Sequence, residues 1–234
     1  MISIIIPVYN HAKNLCRCLD SLVMQTFRDI EIVVVNDGST DKTPEVAREF
    51  VERFKKDGIR YEIIEQENKG APNARNRGYQ ESRGDFILFC DADAILERNY
   101  LSEMIKALEG NLGASYAYSA HYWGRKLFKL WPFNANKLRQ MPYIHSVSLI
   151  RKKDFPVGGW DENIKRLQDW DLWLTMLEEN HQGVWINKPL FKISTGGTMS
   201  SWLPSIAYKL LPFLPEVKKY QTALKTVKEK HGLL

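Results

Sequence analysis

The chain has 234 residues, of which 44% are hydrophobic and 26% charged, an ordinary composition for a globular protein with one substantial core. Its net charge of +5 favours anionic ligands, but no DNA- or RNA-recognition motif accompanies that charge, so we expect no nucleic-acid partner. Three cysteines do not form a disulfide framework in a chain of this length, and no stretch approaches the roughly 20 apolar residues that span a bilayer. We therefore expect a cytoplasmic protein, attached at most to the cytoplasmic face of a membrane.

Strand and helix patterns alternate through the first half of the chain. Four apolar or β-branched runs predict strands, and they read ISIIIPVY, EIVVVN, RYEIIEQ and DFILFCD. Between them lie three helical patterns, the first with leucines at three- and four-residue spacing, the second beginning at Thr43, and the third covering about 73–82. Continuous apolar strands that alternate with helices predict a parallel sheet covered on both faces.

Polar residues stand at the ends of three of these strands. They are Tyr9-Asn10 after the first strand, Asn36-Asp37 after the second, and Asp91-Ala92-Asp93 after the fourth. Each cluster alone is explained by a turn or a loop. Because ligands of such sheets bind beyond the carboxyl ends of the strands, we expect the three clusters to share one binding site.

The alternation ends near residue 110, and the remaining patterns are mixed. We expect a strand at HSVSLI, a helix at QDWDLWLTMLEEN, two short extended segments at GVWIN and PLFKIS, and an interrupted helical tail from Pro204. The predicted organisation is one domain over 1–204, divided into halves at 1–110 and 111–204, followed by the tail at 205–234.

Four segments of the chain resemble glycosyltransferase family 2, the inverting, nucleotide-sugar-dependent transferases with a GT-A fold. They are SIIIPVYN, QTFRDIEIVVVNDGSTDKT, ENKGAPNARNRGYQESRGDFILFCDADA and GGWDENIKRLQDWDLWLTM, in the family's order. The resemblance implies an α/β fold in which a Rossmann-like nucleotide-binding half with a mostly parallel sheet is fused to a smaller acceptor-binding half. A dinucleotide oxidoreductase is set aside, because no G-x-G-x-x-G motif follows the first strand.

The segment Asp91-Ala92-Asp93 matches the D-x-D motif of that family, which contacts the nucleotide-sugar donor. By analogy, Asp93 ligates a divalent cation, Mn²⁺ or Mg²⁺, that bridges the donor diphosphate, and Asp91 contacts the ribose or the metal. The chemistry agrees, because carboxylates and a diphosphate repel each other unless a hard cation lies between them. Such a cation also acts as a Lewis acid on the departing oxygens.

The resemblance assigns further donor contacts to residues outside this motif. Asp37 matches the acidic residue that accepts a hydrogen bond from uracil, while Pro7 and Tyr9 match the wall beside the base and ribose, with Tyr9 stacking on the base. Arg75 matches the basic residue beside the base or diphosphate, and its alternative role is a solvated charge on a helix. Asn36 stands where relatives often carry a second Asp.

The segment LQDWDLW matches the family's catalytic-base region. Asp169 matches the general base, and Gln168 replaces a Glu of the family. An inverting transfer needs one carboxylate that takes the proton of the acceptor hydroxyl on the face opposite the leaving diphosphate. The alternative is that Asp169 and Asp171 only favour the first helical turn through the helix dipole, which is our expectation for Asp171, about 200° around the helix from Asp169.

Two regions bear on the acceptor and the metal. Residues 123–140 contain five basic and four aromatic residues and no acidic one, which suits a loop over the acceptor site or a contact with a membrane surface. The alternative is a loop packed on the core with solvated charges. Many relatives carry a His near GGTMS, which this chain lacks, so water is expected as the remaining metal ligand and Gly196-Gly197-Thr198 as a flap over phosphate.

These observations predict a metal-dependent inverting glycosyltransferase of the hexosyl- or N-acetylhexosaminyl-transferase type. It would move a sugar from a nucleotide sugar, taken to be a UDP-sugar, to a glycan or lipid-linked glycan acceptor in cell-surface polysaccharide biosynthesis. The alternative is a non-catalytic sugar-nucleotide-binding module, or a partner subunit of another transferase.

Overall fold

The computed structural model describes residues 1–194 and 214–234. The strands are β1 (Ile2–Val8), β2 (Ile30–Asp37), β3 (Arg60–Gln66), β4 (Phe86–Phe89), β5 (Ala94–Leu96), β6 (Tyr116–Trp123), β7 (Lys126–Phe128), β8 (Leu149–Arg151) and β9 (Gly183–Ile193). The helices are α1 (Ala12–Val23), α2 (Thr43–Glu49), α3 (Val51–Lys56), α4 (Ala71–Glu81), α5 (Tyr100–Glu109), α6 (Ala135–Gln140), α7 (Gln168–Glu178) and α8 (Pro215–Lys230). None of these described helices is long and apolar enough to cross a membrane.

The strands of the described residues form one sheet in the order β3-β2-β1-β4-β8-β6-β9-β5, with β7 paired to β6. The four strands predicted from the first half, β3, β2, β1 and β4, are all parallel. Beyond β4 the sheet is mixed, because β8 is antiparallel to β4 and β6 while β6 and β9 are parallel. The predicted α/β fold with a parallel first half is confirmed.

The central position of β1 explains its unbroken apolar sequence. All seven of its residues are buried, with β2 on one side, β4 on the other and helices over the faces. The ladder to β4 ends at Ile5, while the ladder to β2 continues to Val8. Pro7 therefore lies beyond the region where β1 is paired on both sides, a position at which a residue without an N–H is tolerated.

Helix α4 packs directly on β1 and β2, and a glycine makes this close approach possible. A Cβ atom on Gly78 would lie 2.4 Å from Cγ2 of Ile5 and 3.1 Å from Cγ2 of Val35. The helix begins after Gly70, whose φ of 91° lies in the left-handed region that favours glycine. Since α4 carries Arg75, this packing sets the height of that side chain above the sheet edge.

A second apolar cluster lies under the acceptor half of the chain. Two buried tryptophans of α7 anchor it through their indole N–H groups, since Trp170 donates to the Leu138 carbonyl at 2.6 Å and Trp173 to the Ile144 carbonyl at 3.0 Å. Val227 of α8 is buried in the same cluster. The described part of the C-terminal tail is thus packed into the domain core.

Four predicted elements differ from the sequence-based expectations, and the first is the strand at HSVSLI, which is confined to its end in β8 (Leu149–Arg151). The segments GVWIN and PLFKIS form one strand, β9, because the pairing with β6 shifts register around Pro189 and absorbs the extra residues in a bulge. The second predicted helix divides at Phe50 into α2 and α3. In the tail, α8 begins at Pro215, a favourable first helical position, while Pro204 and Pro212 lie outside the described residues.

Candidate active site

Residues from four distant segments meet beyond the carboxyl end of β4. The Arg75 guanidinium donates through Nη2 to Oδ1 of Asp91 at 2.8 Å and through Nη1 to Oε1 of Gln168 at 2.9 Å. The Ser146 hydroxyl donates to Oδ2 of Asp91, also at 2.8 Å. One arginine of α4 therefore joins the loop after β4 to the first turn of α7.

Arg75 is a buried ion-pair partner rather than a solvated helix charge. The residue is 7% exposed, and its guanidinium lies 4.4 Å from the centroid of the Trp160 ring. Stacking on an aromatic face and pairing with a carboxylate together compensate a cation that has lost most of its water. Within the described residues, its Nε atom is buried and has no hydrogen-bond partner.

The two carboxylates of the D-x-D segment have opposite electrostatic surroundings. Burial alone would raise the pKa of Asp91, but the Arg75 charge, with His145 and the hydroxyl of Ser146, holds that pKa below its ordinary value. The pKa of Asp93 is instead raised to about 7, first by burial and then by the negative charge of Asp91. Among the described residues, only its own backbone N–H donates to the Asp93 carboxyl. Within residues 1–194 and 214–234, Asp93 therefore lacks a compensating positive charge.

This uncompensated charge fits a hard divalent cation. Asp93 and Asp91 supply carboxylate oxygens, which such ions prefer, and a cation beside them would favour the ionised form of Asp93. The described residues hold no group of three His, Cys, Asp or Glu side chains arranged for a metal ion. His, Cys, Asp and Glu ligands from this part of the chain thus number fewer than three, and Gly196-Gly197-Thr198, expected as a flap over phosphate, lie outside it.

Asp169 lies on the first turn of α7, one residue after Gln168. Its pKa is raised above the ordinary value by burial, although His145, the backbone N–H of Trp170 and the Arg75 charge act in the opposite direction. The negative charge of Asp91 contributes a further upward effect. A carboxylate with a raised pKa is a stronger base than an ordinary one.

Asp37 is used within the protein more extensively than the sequence suggested. Its Oδ1 accepts hydrogen bonds from Gln66 Nε2 and the Lys69 N–H, and its Oδ2 accepts one from the Gly70 N–H, all at 2.8 Å. The residue is 3% exposed. A carboxylate has about four acceptor positions, so about one remains for a ligand. Asp37 fixes the turn that begins α4.

The other predicted donor residues follow β1 and β4. Pro7 and Ala92 are buried, whereas Tyr9 is 44% exposed and presents its ring at the edge of the sheet. The next residue, Asn10, has a φ of 52°, and its side-chain oxygen accepts a hydrogen bond from the Thr40 N–H at 2.7 Å. This contact joins the loops that follow β1 and β2.

His145, Ser146 and Trp160 belong to the site although the sequence did not single them out. The Val147 N–H lies 3.1 Å from His145 Nδ1, which accepts this hydrogen bond. His145 influences the pKa of both Asp91 and Asp169. The sequence predicted a strand for the segment with His145 and Ser146 and gave no site role to Trp160. Only tertiary contacts reveal the place of these residues in the site.

The acceptor half exposes a basic and aromatic surface. No acidic residue occurs between Glu109 and Asp154. Four large apolar side chains of this segment, Tyr122, Leu127, Trp131 and Met141, are at least 38% exposed, and Lys137 Nζ lies 3.7 Å from the centroid of the Trp131 ring. We call this set the basic–aromatic surface, and it comprises Tyr122, Arg125, Lys126, Leu127, Lys129, Trp131, Lys137, Arg139 and Met141.

Comparisons with known proteins agree with this architecture. A family model described as Glycosyl transferase family 2 matches residues 3–156. Glycosyltransferase GlyA from Streptococcus pneumoniae is 45% identical over 107 residues, which are 46% of this chain and 15% of GlyA. TarS from S. aureus in complex with UDP-GlcNAc is 20% identical with a TM-score of 0.71, covering 91% of this chain and 64% of that chain.

A second solved structure has a similar fold. The mannosyltransferase PcManGT from Pyrobaculum calidifontis, in complex with GDP-Man and Mn²⁺, has a TM-score of 0.71 at 20% identity, covering 84% of this chain and 57% of its own. These likenesses show that the fold is GT-A. The chain spans less than two thirds of the length of GlyA, TarS and PcManGT.

Proposed function

The chain belongs to glycosyl transferase family 2, and we propose that it transfers a sugar, with inversion, from a UDP-sugar to a glycan or lipid-linked glycan acceptor in cell-surface polysaccharide biosynthesis. The sugar is a hexose or an N-acetylhexosamine, and a divalent cation, Mn²⁺ or Mg²⁺, assists the reaction. Structural relatives that hold UDP-GlcNAc, or GDP-Man with Mn²⁺, support a nucleotide-sugar donor and a cation.

The bridge made by Arg75 carries this proposal. It ties Asp91 of the D-x-D segment to Gln168, the residue before Asp169, with contacts of 2.8 and 2.9 Å. One buried guanidinium thereby holds the donor-side carboxylate of Asp91 and the residue next to the base-side carboxylate of Asp169. This proximity suits an inverting transfer, in which a base close to the donor acts on the face of the sugar opposite the leaving group.

The residues divide into a donor group and a base. Asp93 and Asp91 would hold the cation, which when bound supplies Lewis-acid stabilisation of the leaving diphosphate. Tyr9, Pro7 and Asp37 would contact the base and ribose, with Tyr9 offering the exposed ring and Asp37 the remaining acceptor position. Ala92, small and buried between the two carboxylates, leaves their approach to the donor open.

Asp169 would accept the proton of the acceptor hydroxyl. Its raised pKa strengthens it as a base, and its hydrogen bond from the Trp170 N–H at 2.9 Å fixes one carboxylate oxygen while leaving the other for the acceptor. Gln168, in place of the family's Glu, accepts a hydrogen bond from Arg75 without adding a second negative charge beside Asp169.

The experiment that tests this function combines binding with turnover. Thermal unfolding is measured with UDP and GDP, each with and without Mn²⁺, and nucleotide release is measured from a panel of UDP- and GDP-sugars with candidate glycan acceptors. We expect stabilisation by UDP that requires Mn²⁺. Asp93→Asn should lose this stabilisation, whereas Asp169→Asn should keep it and lose most nucleotide release.

Two results would count against the proposal. Release by both variants at the parent rate would remove the assigned roles. Tight UDP binding without release from any donor would instead favour a non-catalytic sugar-nucleotide-binding module.

The basic–aromatic surface supports a contact with the acceptor's surroundings. Exposed rings beside lysine and arginine suit the interface of an anionic bilayer, where rings lie among headgroups and cations meet phosphates. We place the protein at the cytoplasmic face of a membrane, where a lipid-linked acceptor would be presented to it.

A further inference from the structure

The first turn of α7, which carries Asp169, is held by three separate helices. Gln168 accepts a hydrogen bond from the arginine of α4 at 2.9 Å, and the Trp170 indole donates to a backbone carbonyl of α6 at 2.6 Å. Asp171 is bound by the C-terminal end of α8. Every residue next to Asp169 on this turn, together with Asp171, therefore has a partner outside α7.

The contact with α8 is a buried cluster of charges. Asp171, 3% exposed, accepts at Oδ1 from His231 Nε2 at 2.9 Å and at Oδ2 from Lys230 Nζ at 3.0 Å. His231 Nδ1 donates to Glu178 Oε1 at 2.8 Å, and Lys230 Nζ also donates to Asp161 Oδ2 at 2.8 Å. Asp171 is thus an anchor for α8, which goes beyond the helix-dipole role expected for it.

The geometry of this cluster favours the doubly protonated form of His231. Both ring nitrogens face carboxylate oxygens, which accept hydrogen bonds and do not donate them when ionised. Burial alone would lower the pKa of His231, but the hydrogen bonds to Asp171 and Glu178 raise it above the ordinary value. Two cations at the C-terminal end of α8, Lys230 and His231, therefore pair with three carboxylates. Removing either cation would leave the buried negative charge of Asp171 with only one positive partner.

We propose that Lys230 and His231 are positioning residues for Asp169, acting through Asp171 to fix the first turn of α7 over the donor site. This inference rests on the proposed function, in which Asp169 is the general base. A displacement of about 1 Å at a catalytic group can cost roughly 100-fold in rate, so an anchor two residues away from the base has catalytic consequences. The C-terminal end of α8 is then a part of the active-site support.

The test uses the full chain with the double substitution Lys230→Gln and His231→Gln. The single substitution Asp171→Asn weakens the same contact between α7 and α8 from the α7 side, and it is used if the double variant folds poorly. Lys225→Gln is the matched control, because Lys225 lies on α8, is 68% exposed and pairs only at the surface with Glu229. Lys230→Arg keeps the charge and should retain most activity.

Two readouts are taken on each variant. Hydrogen exchange followed by mass spectrometry should show roughly tenfold faster exchange over the first turn of α7, with α5 unchanged. Nucleotide release, from the donor that the parent turns over fastest, should fall roughly 10- to 100-fold in the double variant and in Asp171→Asn. The Kd for UDP with Mn²⁺ should stay within about twofold, since the donor half is untouched.

The outcomes separate this inference from the proposed function. A parent that releases no nucleotide from any donor overturns the function itself. An active parent, with variants whose exchange or release rate is unchanged, overturns the positioning role. An equal loss of release in Lys225→Gln also overturns it, because that change leaves Asp171 and its partners in place.

Discussion

Replacing Asp93 by Asn should stabilise the ligand-free protein at about pH 8, although it should also remove donor binding. The carboxyl of Asp93 ionises with a pKa of about 7 in the folded chain, against an ordinary value of 3.8. A difference of about 3 between these values corresponds to about 4 kcal/mol by which the ionised carboxylate disfavours folding. Solvent screens the partly exposed group, so we expect a gain of about 1–3 kcal/mol and a rise in Tm of roughly 3–10 °C.

The pH dependence follows from the direction of this shift. Because the folded-state pKa of Asp93 lies above the unfolded one, the parent loses stability as pH rises from about 4 to about 7 and loses no more above that range. Asn does not ionise, so the advantage of the variant should be absent near pH 4 and complete near pH 8.

The assay is thermal or urea unfolding of parent and variant at several pH values. Asp91→Asn is the matched control, since it is the same change two residues earlier and should destabilise the protein by leaving the buried Arg75 without its carboxylate. With UDP and Mn²⁺ the order of parent and Asp93→Asn should reverse. A variant no more stable than the parent near pH 8, or an equal gain near pH 4, would refute the electrostatic reasoning.

Three further predictions concern packing, the nucleotide and the membrane. Gly78→Ala should destabilise the fold by about 1–3 kcal/mol in urea unfolding, because the new Cβ would lie 2.4 Å from the Ile5 side chain, and a gain in stability would contradict the packing of α4. Tyr9→Ala should raise the Kd for UDP by roughly 5- to 10-fold in calorimetry if the exposed ring stacks on the base, and an unchanged Kd would exclude that stacking. The double variant Leu127→Ser and Trp131→Ala should sediment less with phosphatidylserine vesicles than the parent does, with phosphatidylcholine vesicles as the control; equal sedimentation would remove the membrane contact.

Local patterns in the sequence determined the first half of the fold. Continuous apolar residues predict the buried strands β1, β2 and β4. The spacing of apolar residues and a proline in the first turn predict the helices between them. Parallel order follows, because strands joined by single helices return to the same edge. The place of Asp37 and of the Asp91–Asp93 segment at that edge was predictable for the same reason.

Only the tertiary structure decided what these side chains touch. Arg75 reaches Asp91 across 16 positions of sequence and Gln168 across 93, and no local pattern encodes such a pairing. The sequence predicted only a helix-dipole role for Asp171, yet its side chain is buried and the end of α8 brings two cations to it. Periodicity fixes which face of an element is apolar, whereas the partner of a buried charge depends on which distant segment packs against it.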